Sequence, residues 1–375
     1  MILAAAAGIV IIGAVLWEAF ETVVLPRRVT RRFRLTAFFY RSTWTPWKAL
    51  ARGIEKTGRR EAFLSYYGPL SLLFLFVLWA MGLIAGFALL YESVPGALGQ
   101  VSSLSACLYL SGTTLFTLGL GDVVPHAPFA RFLAVAESGL GFGFLALVIS
   151  YLPVIYQAFS RREVSIVLLD ARAGSPPTAG ELLRRHNGPH GIAALEGLLR
   201  DWERASAEIL ESHISYPVVG YFRSQHSNES WIAALAVLLD ASAILIASTE
   251  GSCQRQARLT FAMCRHTVVD LAQLLRRRPQ PLAADRLPAA EFDRMRGLLD
   301  GAGFALRDRK AAESRLAELR AMYEPYLQTL ARYLAMEIPP WILAREVADN
   351  WRTSAWGRIS GFAGTGRSET DDHSD

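Results

Sequence analysis

Between residues 113 and 122 the chain reads Thr113-Thr114-Leu115-Phe116-Thr117-Leu118-Gly119-Leu120-Gly121-Asp122. Reactive side chains are sparse in this run, but the backbone offers more. Gly119 and Gly121 reach dihedral angles that other residues reach only with strain, so an extended segment here can turn its carbonyl oxygens inward. A dehydrated cation needs a ring of oxygens in place of its water shell. The carbonyls of Thr117, Leu118, Gly119, Leu120 and Gly121 supply them, and the Thr117 hydroxyl adds one more at the end. Non-helical backbone is tolerated at membrane depth only where it is buried in protein or lines a polar path. The flanking chain must therefore span a membrane.

The flanks meet that requirement. Ala62–Tyr91 holds no charged residue and is long enough for a tilted span. Ser93–Gly99 carries Pro95, Gly96 and Gly99 and reads as a turn. Val101–Phe116 is apolar with serines and threonines, too short to span, and fits a half-helix that enters and stops. Val123-Val124-Pro125 leads back out, and Pro128–Phe159 is a further span interrupted by Arg131 and Glu137. Upstream, Ile2–Pro26 is apolar enough to cross. A cleaved signal peptide is its rival, but no positive charge precedes the run and no small-residue cleavage site follows it. Glu18 and Glu21 are expected at the interface or in polar contact with another helix. The boundaries become a span at 1–26, a basic segment at 27–61, and a domain at 62–159. That domain comprises an outer helix 62–91, a half-helix 101–116, the segment 117–122 and an inner helix 128–159.

Charge orients these pieces. The net charge is +5; residues 1–159 hold 12 Lys+Arg against 7 Asp+Glu, and residues 160–375 hold 27 of each. Eleven of the 12 lie between Arg27 and Arg60. This is an orientation signal, not a nucleic-acid footprint. Three spans with the N-terminus outside put that cluster and Ser160-Arg161-Arg162 on the cytoplasmic face. Phe33, Phe38, Phe39, Tyr40, Trp44 and Trp47 interleave with the arginines, which suits an amphipathic helix among lipid headgroups; a solvated linker is the alternative. Cys107, Cys253 and Cys264 show no metal or disulfide spacing and read as small buried side chains.

Past Arg162, arginine, glutamate, leucine and alanine recur at helical spacing, so residues 160–360 read as a mainly helical domain, and 361–375 as a disordered tail. Pro325 should kink or split the helix expected at Ala311–Met336. Trp231–Ser248 is almost continuously apolar around Asp240. It is a fourth span or a buried core helix, and its charged neighbourhood favours the core. No phosphate loop, calcium loop, nucleophile–base pair or complete metal set is present, which argues against an enzyme, a cofactor and a nucleotide-binding regulatory domain.

The last six residues of the opening run closely resemble the selectivity filter Thr-Val-Gly-Tyr-Gly-Asp of pore-loop potassium channels, in the form with two spans around each filter. Here one N-terminal helix is added. The resemblance covers residues 62–159 and includes Pro125, Arg131 and Gly141 at the spacing where bacterial members carry a proline, an inner-helix arginine and a hinge glycine. It implies an all-α membrane protein, with a tetrameric potassium-channel-like pore domain and a mainly helical cytoplasmic domain that couples an unknown ligand or stimulus to the gate. The permeant ion would be K⁺, no cofactor is implied, and the partners would be three further copies of the chain and membrane lipids. One filter per chain without an internal repeat requires four chains to close the ring.

Leu120 stands where the family usually has Tyr or Phe, and Leu110 where a pore-helix tryptophan braces that aromatic. The brace would become an apolar Leu110–Leu120 contact. Tyr109 takes the position from which an aromatic reaches the filter aspartate, so Tyr109–Asp122 is a candidate hydrogen bond. Glu137 is an intramembrane carboxyl, expected to meet Ser111, Thr113 or Thr114 behind the filter and either to tune it with pH or to be merely structural. Gly141 is a hinge or a packing glycine, and Gly139 with Gly143 forms a small-xxx-small packing pair. Phe142, Leu145, Ile149 and Pro153 trace one face that could line the cavity and its lower gate, Pro153 bending the helix. A weakly selective cation channel and a non-conducting signalling or scaffold protein are the rival readings.

Overall fold

The computed structural model describes residues 1–25, 34–99, 103–225, 229–251, 253–280 and 284–344. The disordered-tail expectation at 361–375, part of the basic cluster and the first two residues of the half-helix lie outside the described residues. The described residues are mainly helical, and the chain divides into two compact units. Met1–Gly53 with Tyr66–Gln157 forms the first, and Ile54–Ser65 with the chain from Ala158 forms the second.

The first unit begins with α1, Ile2–Ala19, ending in a π-helical turn at Phe20–Val24. α2, Leu35–Arg52, follows; then α4, Tyr67–Ser93, after a short α3 at Thr57–Ser65 that belongs to the second unit. α1 packs along α4 at glycines. A Cβ at Gly8 would come within 2.6 Å of the Gly86 carbonyl oxygen, one at Gly86 within 2.6 Å of Ile12 Cγ1, and one at Gly82 within 2.8 Å of Val15 Cγ2. Small residues four apart let backbones approach where lipid supplies no hydrophobic drive.

Glu18 and Glu21 are both buried rather than interfacial. The Glu18 carboxylate accepts the Leu35 N–H at 3.0 Å, the Thr36 N–H at 3.1 Å and the Thr36 hydroxyl at 2.9 Å, so it caps α2 from α1. Glu21 accepts the Trp17 indole N–H at 2.8 Å. Trp44 of α2 is buried against Tyr67, whose hydroxyl donates to the Tyr40 carbonyl. α2 is thus seated on the unit along one side.

α5, Leu104–Leu115, is capped by the Ser103 hydroxyl, which accepts the Ala106 N–H. α6, Pro128–Ala173, is one 46-residue helix that continues through Pro153; its residues through Gln157 belong to the first unit and the remainder to the second. Phe87, Tyr91, Leu98, Cys107, Leu110 and Leu133 form the core between α4, α5 and α6. Outside it, Ile2, Leu3, Phe74, Met81, Phe132 and Val135 are at least half exposed, a surface unsuited to water.

The second unit adds α7 at Ala179–Arg185, α8 at Gly188–Ser215, α9 at Trp231–Ser248 and α10 at Gln254–Leu274. α11 at Ala289–Gly301, α12 at Arg309–Ala321 and α13 at Glu324–Leu334 follow. Thr249 and Glu250 pair antiparallel with Leu306 and Ala305. Pro325 sits in the first turn of α13, where its missing N–H is harmless, and the expected single helix is split there.

α9 is buried at every residue, enclosed by α7, α8, α10, α12 and α13. Its length and hydropathy alone would let it cross a membrane, but no face is left for lipid. Asp240 explains how the burial is tolerated. Its carboxylate takes the Arg286 guanidinium at 2.7 and 3.3 Å and the Tyr323 hydroxyl at 2.5 Å. Arg286 also reaches Glu324 at 3.1 Å, which Arg320 contacts at 3.1 Å. Burial alone would lower the Arg286 pKa, but Asp240, Tyr323 and Glu324 together outweigh it and hold the guanidinium above its ordinary range.

Arg162 is spent inside the second unit. Its guanidinium donates to the Val219 and Phe222 carbonyls at 3.0 and 2.9 Å and to Glu163 at 3.1 Å. Beside it at 3.4 Å lies His213, whose pKa is pushed down to about 3 by burial and then by the Arg162 charge. Arg223 donates to the Leu334 and Ala335 carbonyls at 2.6 and 2.9 Å, closing the C-terminus of α13, and pairs with Glu61 of α3 at 3.2 Å.

Candidate functional site

At twelve residues α5 rises only about 18 Å, well short of a bilayer. Its C-terminus closes on the next segment. The Thr117 N–H donates to the Thr114 carbonyl at 3.0 Å, and the Leu118 and Gly119 N–H groups reach the Thr113 carbonyl at 2.7 and 3.4 Å. The backbone then alternates: φ is positive at Thr117 (57°), Gly119 (56°) and Gly121 (79°), and at neither Leu118 nor Leu120. Reversing the sign of φ at every second residue turns successive carbonyls toward one side, whereas a plain strand points them alternately. For a β-branched threonine the positive φ is a strained conformation. Strain held at the first residue of the segment marks it as a site.

Leu118 and Leu120 are 61% and 64% exposed, and a Cβ at Gly119 or Gly121 would meet nothing within 4 Å. The segment is thus fastened at its base and open along its length within one chain.

The residues expected to support it fall into two groups. Tyr109 is joined to Asp122, its hydroxyl donating to Oδ2 at 2.8 Å. Thr113 is buried, its hydroxyl on the Leu110 carbonyl, and its own carbonyl holds Leu118. Thr114 holds Thr117 through its carbonyl. Glu137, fully buried, meets Ser111, whose hydroxyl donates to it. It also accepts the Tyr91 hydroxyl at 2.8 Å, a partner that sequence spacing does not indicate. Leu110 and Leu120 are not brought together. Leu110 is packed in the core with Phe87, Tyr91 and Cys107, while Leu120 stays open. The apolar brace is therefore absent within the chain, because the shorter side chain is satisfied by the core behind it.

The inner helix divides similarly. Phe142, Leu145 and Ile149 are 72%, 53% and 63% exposed and Pro153 is exposed with them, so this face is not taken up by the chain's own core. One turn before Leu145, Gly141 lies against the backbone of Leu115, so close that an added Cβ would collide with its carbonyl oxygen, carbon and Cα. Gly139 and Gly143, expected to pack, would meet nothing within 4 Å. The Arg131 guanidinium donates to the Pro125 carbonyl at 3.2 Å, closing the return from the segment onto the start of α6.

Comparisons with known proteins agree with this geometry. A family model described as an ion channel matches residues 73–157. The chain is 28% identical over 203 residues to the uncharacterized membrane protein YdjJ of Bacillus subtilis (strain 168), covering 52% of this chain and 58% of that protein. It is 34% identical over 91 residues to Protein LctB of Geobacillus stearothermophilus, covering 21% of this chain and 67% of that one. The chain thus spans less than two thirds of the length of YdjJ. No solved structure matches it significantly. An ion-channel match points to transport, not catalysis. With its apolar helices and a membrane-protein relative, this is a multi-pass membrane protein, and it belongs to the pore-loop ion-channel family with the two-transmembrane, potassium-channel type of pore domain.

Proposed function

We propose that four copies of the chain assemble into a potassium channel in the cell membrane, with the N-terminus outside and the second unit in the cytoplasm. The observation that carries this reading is the alternation of φ at Thr117, Gly119 and Gly121 on a segment anchored at its base and open along its length. One chain supplies one column of oxygens, and a ring around an ion needs more than one column. The carbonyls of residues 117–121 and the Thr117 hydroxyl would take the place of the water shell. Tyr109–Asp122 would steady the outer end, and Phe142, Leu145 and Ile149 would line the cavity below. The basic cluster between Arg27 and Arg60 supports the orientation; Arg162 is buried and adds nothing to it.

A weakly selective cation channel is the second reading, favoured by one observation: within one chain Leu110 is buried in its own core and leaves Leu120 exposed. Purified protein in liposomes separates the readings. A potassium gradient is expected to drive flux with a reversal potential near that of potassium, and equal permeability to sodium would select the second. No flux, with Gly119→Asp leaving any cellular phenotype unchanged, would leave a membrane-anchored scaffold.

A further inference from the structure

We propose that the exposed face of α10 is a basic docking strip whose occupant is this chain's own acidic run, residues 369–375. The docking concerns the second unit alone and does not depend on what the pore conducts.

α10 buries one side against α8, α9 and α13. The other side carries Arg255, Arg258, Leu259, Ala262, Arg265 and His266, all exposed. Their intervals of three and four residues place them on one helix face, about 16 Å from end to end. Arg276, Arg277 and Arg278 lie just past the end of the helix. From residue 255 to residue 278 there are thus six arginines against one acid, Asp270, which His266 faces at 3.6 Å.

Elsewhere in this unit even exposed arginines hold carboxylates: Arg184 with Glu181 at 2.7 Å, Arg309 with Asp293 at 2.7 Å and Arg315 with Glu318 at 2.6 Å. Among the described residues, Arg255, Arg258 and Arg265 form no ion pair and no side-chain hydrogen bond. Glu203 of the adjoining α8 is taken by the Gln256 side chain at 2.7 Å. Guanidiniums in a row without a counter-charge repel one another, and an anion laid along them relieves that repulsion.

Charge complementarity names the occupant. Residues 369–375 read Glu-Thr-Asp-Asp-His-Ser-Asp and hold four acids with no Lys or Arg. No stretch of seven residues before Glu369 holds more than two acids, so this run is the chain's strongest local match to the strip. Reach is no obstacle. The twenty-four residues between Ala344 and Glu369 extend to about 80 Å, against a radius of gyration of about 16 Å for a domain of ~200 residues. Tethering supplies an effective concentration near the millimolar range, so individually weak surface pairs suffice. An anionic bilayer fits less well. A helix that lies on lipid presents an apolar face, and Leu259 is the one large apolar side chain exposed on α10 among the described residues.

The test is disulfide formation in full-length protein held in neutral-lipid nanodiscs, with Ser374→Cys combined with a second cysteine on a helix. Ala262→Cys places that cysteine in the strip, and Ala207→Cys places it on the exposed side of α8 as a reference. Cys107, Cys253 and Cys264 are buried, so the introduced pair is the one that reacts. The Ala262→Cys pair is expected to close within one chain about tenfold faster than the Ala207→Cys pair, as docking raises the local concentration at the strip. Combining Arg255→Gln, Arg258→Gln and Arg265→Gln is expected to erase the difference. Raising salt from about 0.05 M to about 0.5 M is expected to do the same, because screening then acts within a few ångströms. Equal rates at the two positions, or a difference that survives both changes, overturns the proposal. A disulfide joining two copies, seen as a doubled mass on a non-reducing gel, overturns the same-chain assignment. A fast rate that collapses when anionic lipid is added at constant salt gives the strip to the bilayer and overturns it as well.

Discussion

α4 and α9 are both long and apolar enough to cross a membrane, yet they sit in opposite surroundings. α4 buries one side against α1 and the core and leaves Phe74, Val77 and Met81 at least half exposed. α9 exposes nothing, and its one charge is enclosed by Arg286 and Tyr323. Apolarity states that a helix avoids water. Whether lipid or protein replaces the water is decided by the partners, and polar residues give them away: glycines where a membrane helix needs close approach, a carboxylate where a core helix meets a cation.

The strongest way to break this contrast is Arg286→Ala. It would leave Asp240 in the interior without a cation, held by the Tyr323 hydroxyl alone, and losing one partner of a buried ion pair costs about 3–5 kcal/mol. Urea unfolding of the detergent-solubilised protein, followed by tryptophan fluorescence, is expected to show the second unit giving way well before the first. An unchanged midpoint would mean that α9 is not the core helix described here.

Acid gives the next effect. The His213 pKa of about 3 lies below its ordinary 6.5, so between those values the unfolded chain binds a proton that the folded chain refuses. The stabilising contribution is complete above about pH 6.5 and is lost as pH falls toward 3, at up to about 1.4 kcal/mol per unit. Urea midpoints from pH 7 to pH 4 should fall for wild type and less steeply for His213→Gln; parallel slopes would remove His213 from the account.

Gly86→Ala probes the other side of the comparison. Its Cβ meets Ile12 and the Gly8 carbonyl, and overpacking a tight contact costs about 1–3 kcal/mol. Cysteine pairs placed across α1 and α4 should cross-link more slowly in that variant. The smallest effect belongs to Glu18→Gln, which weakens a helix cap by about 1 kcal/mol. Faster hydrogen exchange at the Leu35 and Thr36 amides would register it, and unchanged protection would sink the capping role.

What was legible in the sequence follows the range over which a signal acts. Long uncharged runs, the glycine spacing at 119 and 121 and the turn before α5 are local, and they are enough to read an all-α membrane fold around a pore loop. Tyr109 and Asp122 are close in the chain and were paired by resemblance. Tyr91 on Glu137 was not legible, because its partner is 46 residues away and no spacing rule links separate helices. The same holds for Gly82 and Gly86, whose role depends on α1 lying alongside. Leu110 was assigned to the filter because the family's larger residue reaches it; a leucine there is absorbed by Phe87 and Tyr91. Arg162 was read only as part of the cytoplasmic positive cluster, because its carbonyl partners at Val219 and Phe222 lie more than fifty residues on.

The Glu18 cap has a consequence for the order of synthesis. The carboxylate leaves the ribosome seventeen residues before the first amide it will hold. A charged group in an apolar segment is costly at bilayer depth until it finds a partner. The cost of holding Glu18 in the apolar segment is offset only once Leu35 and Thr36 have arrived, which couples the final seating of α1 to the folding of α2.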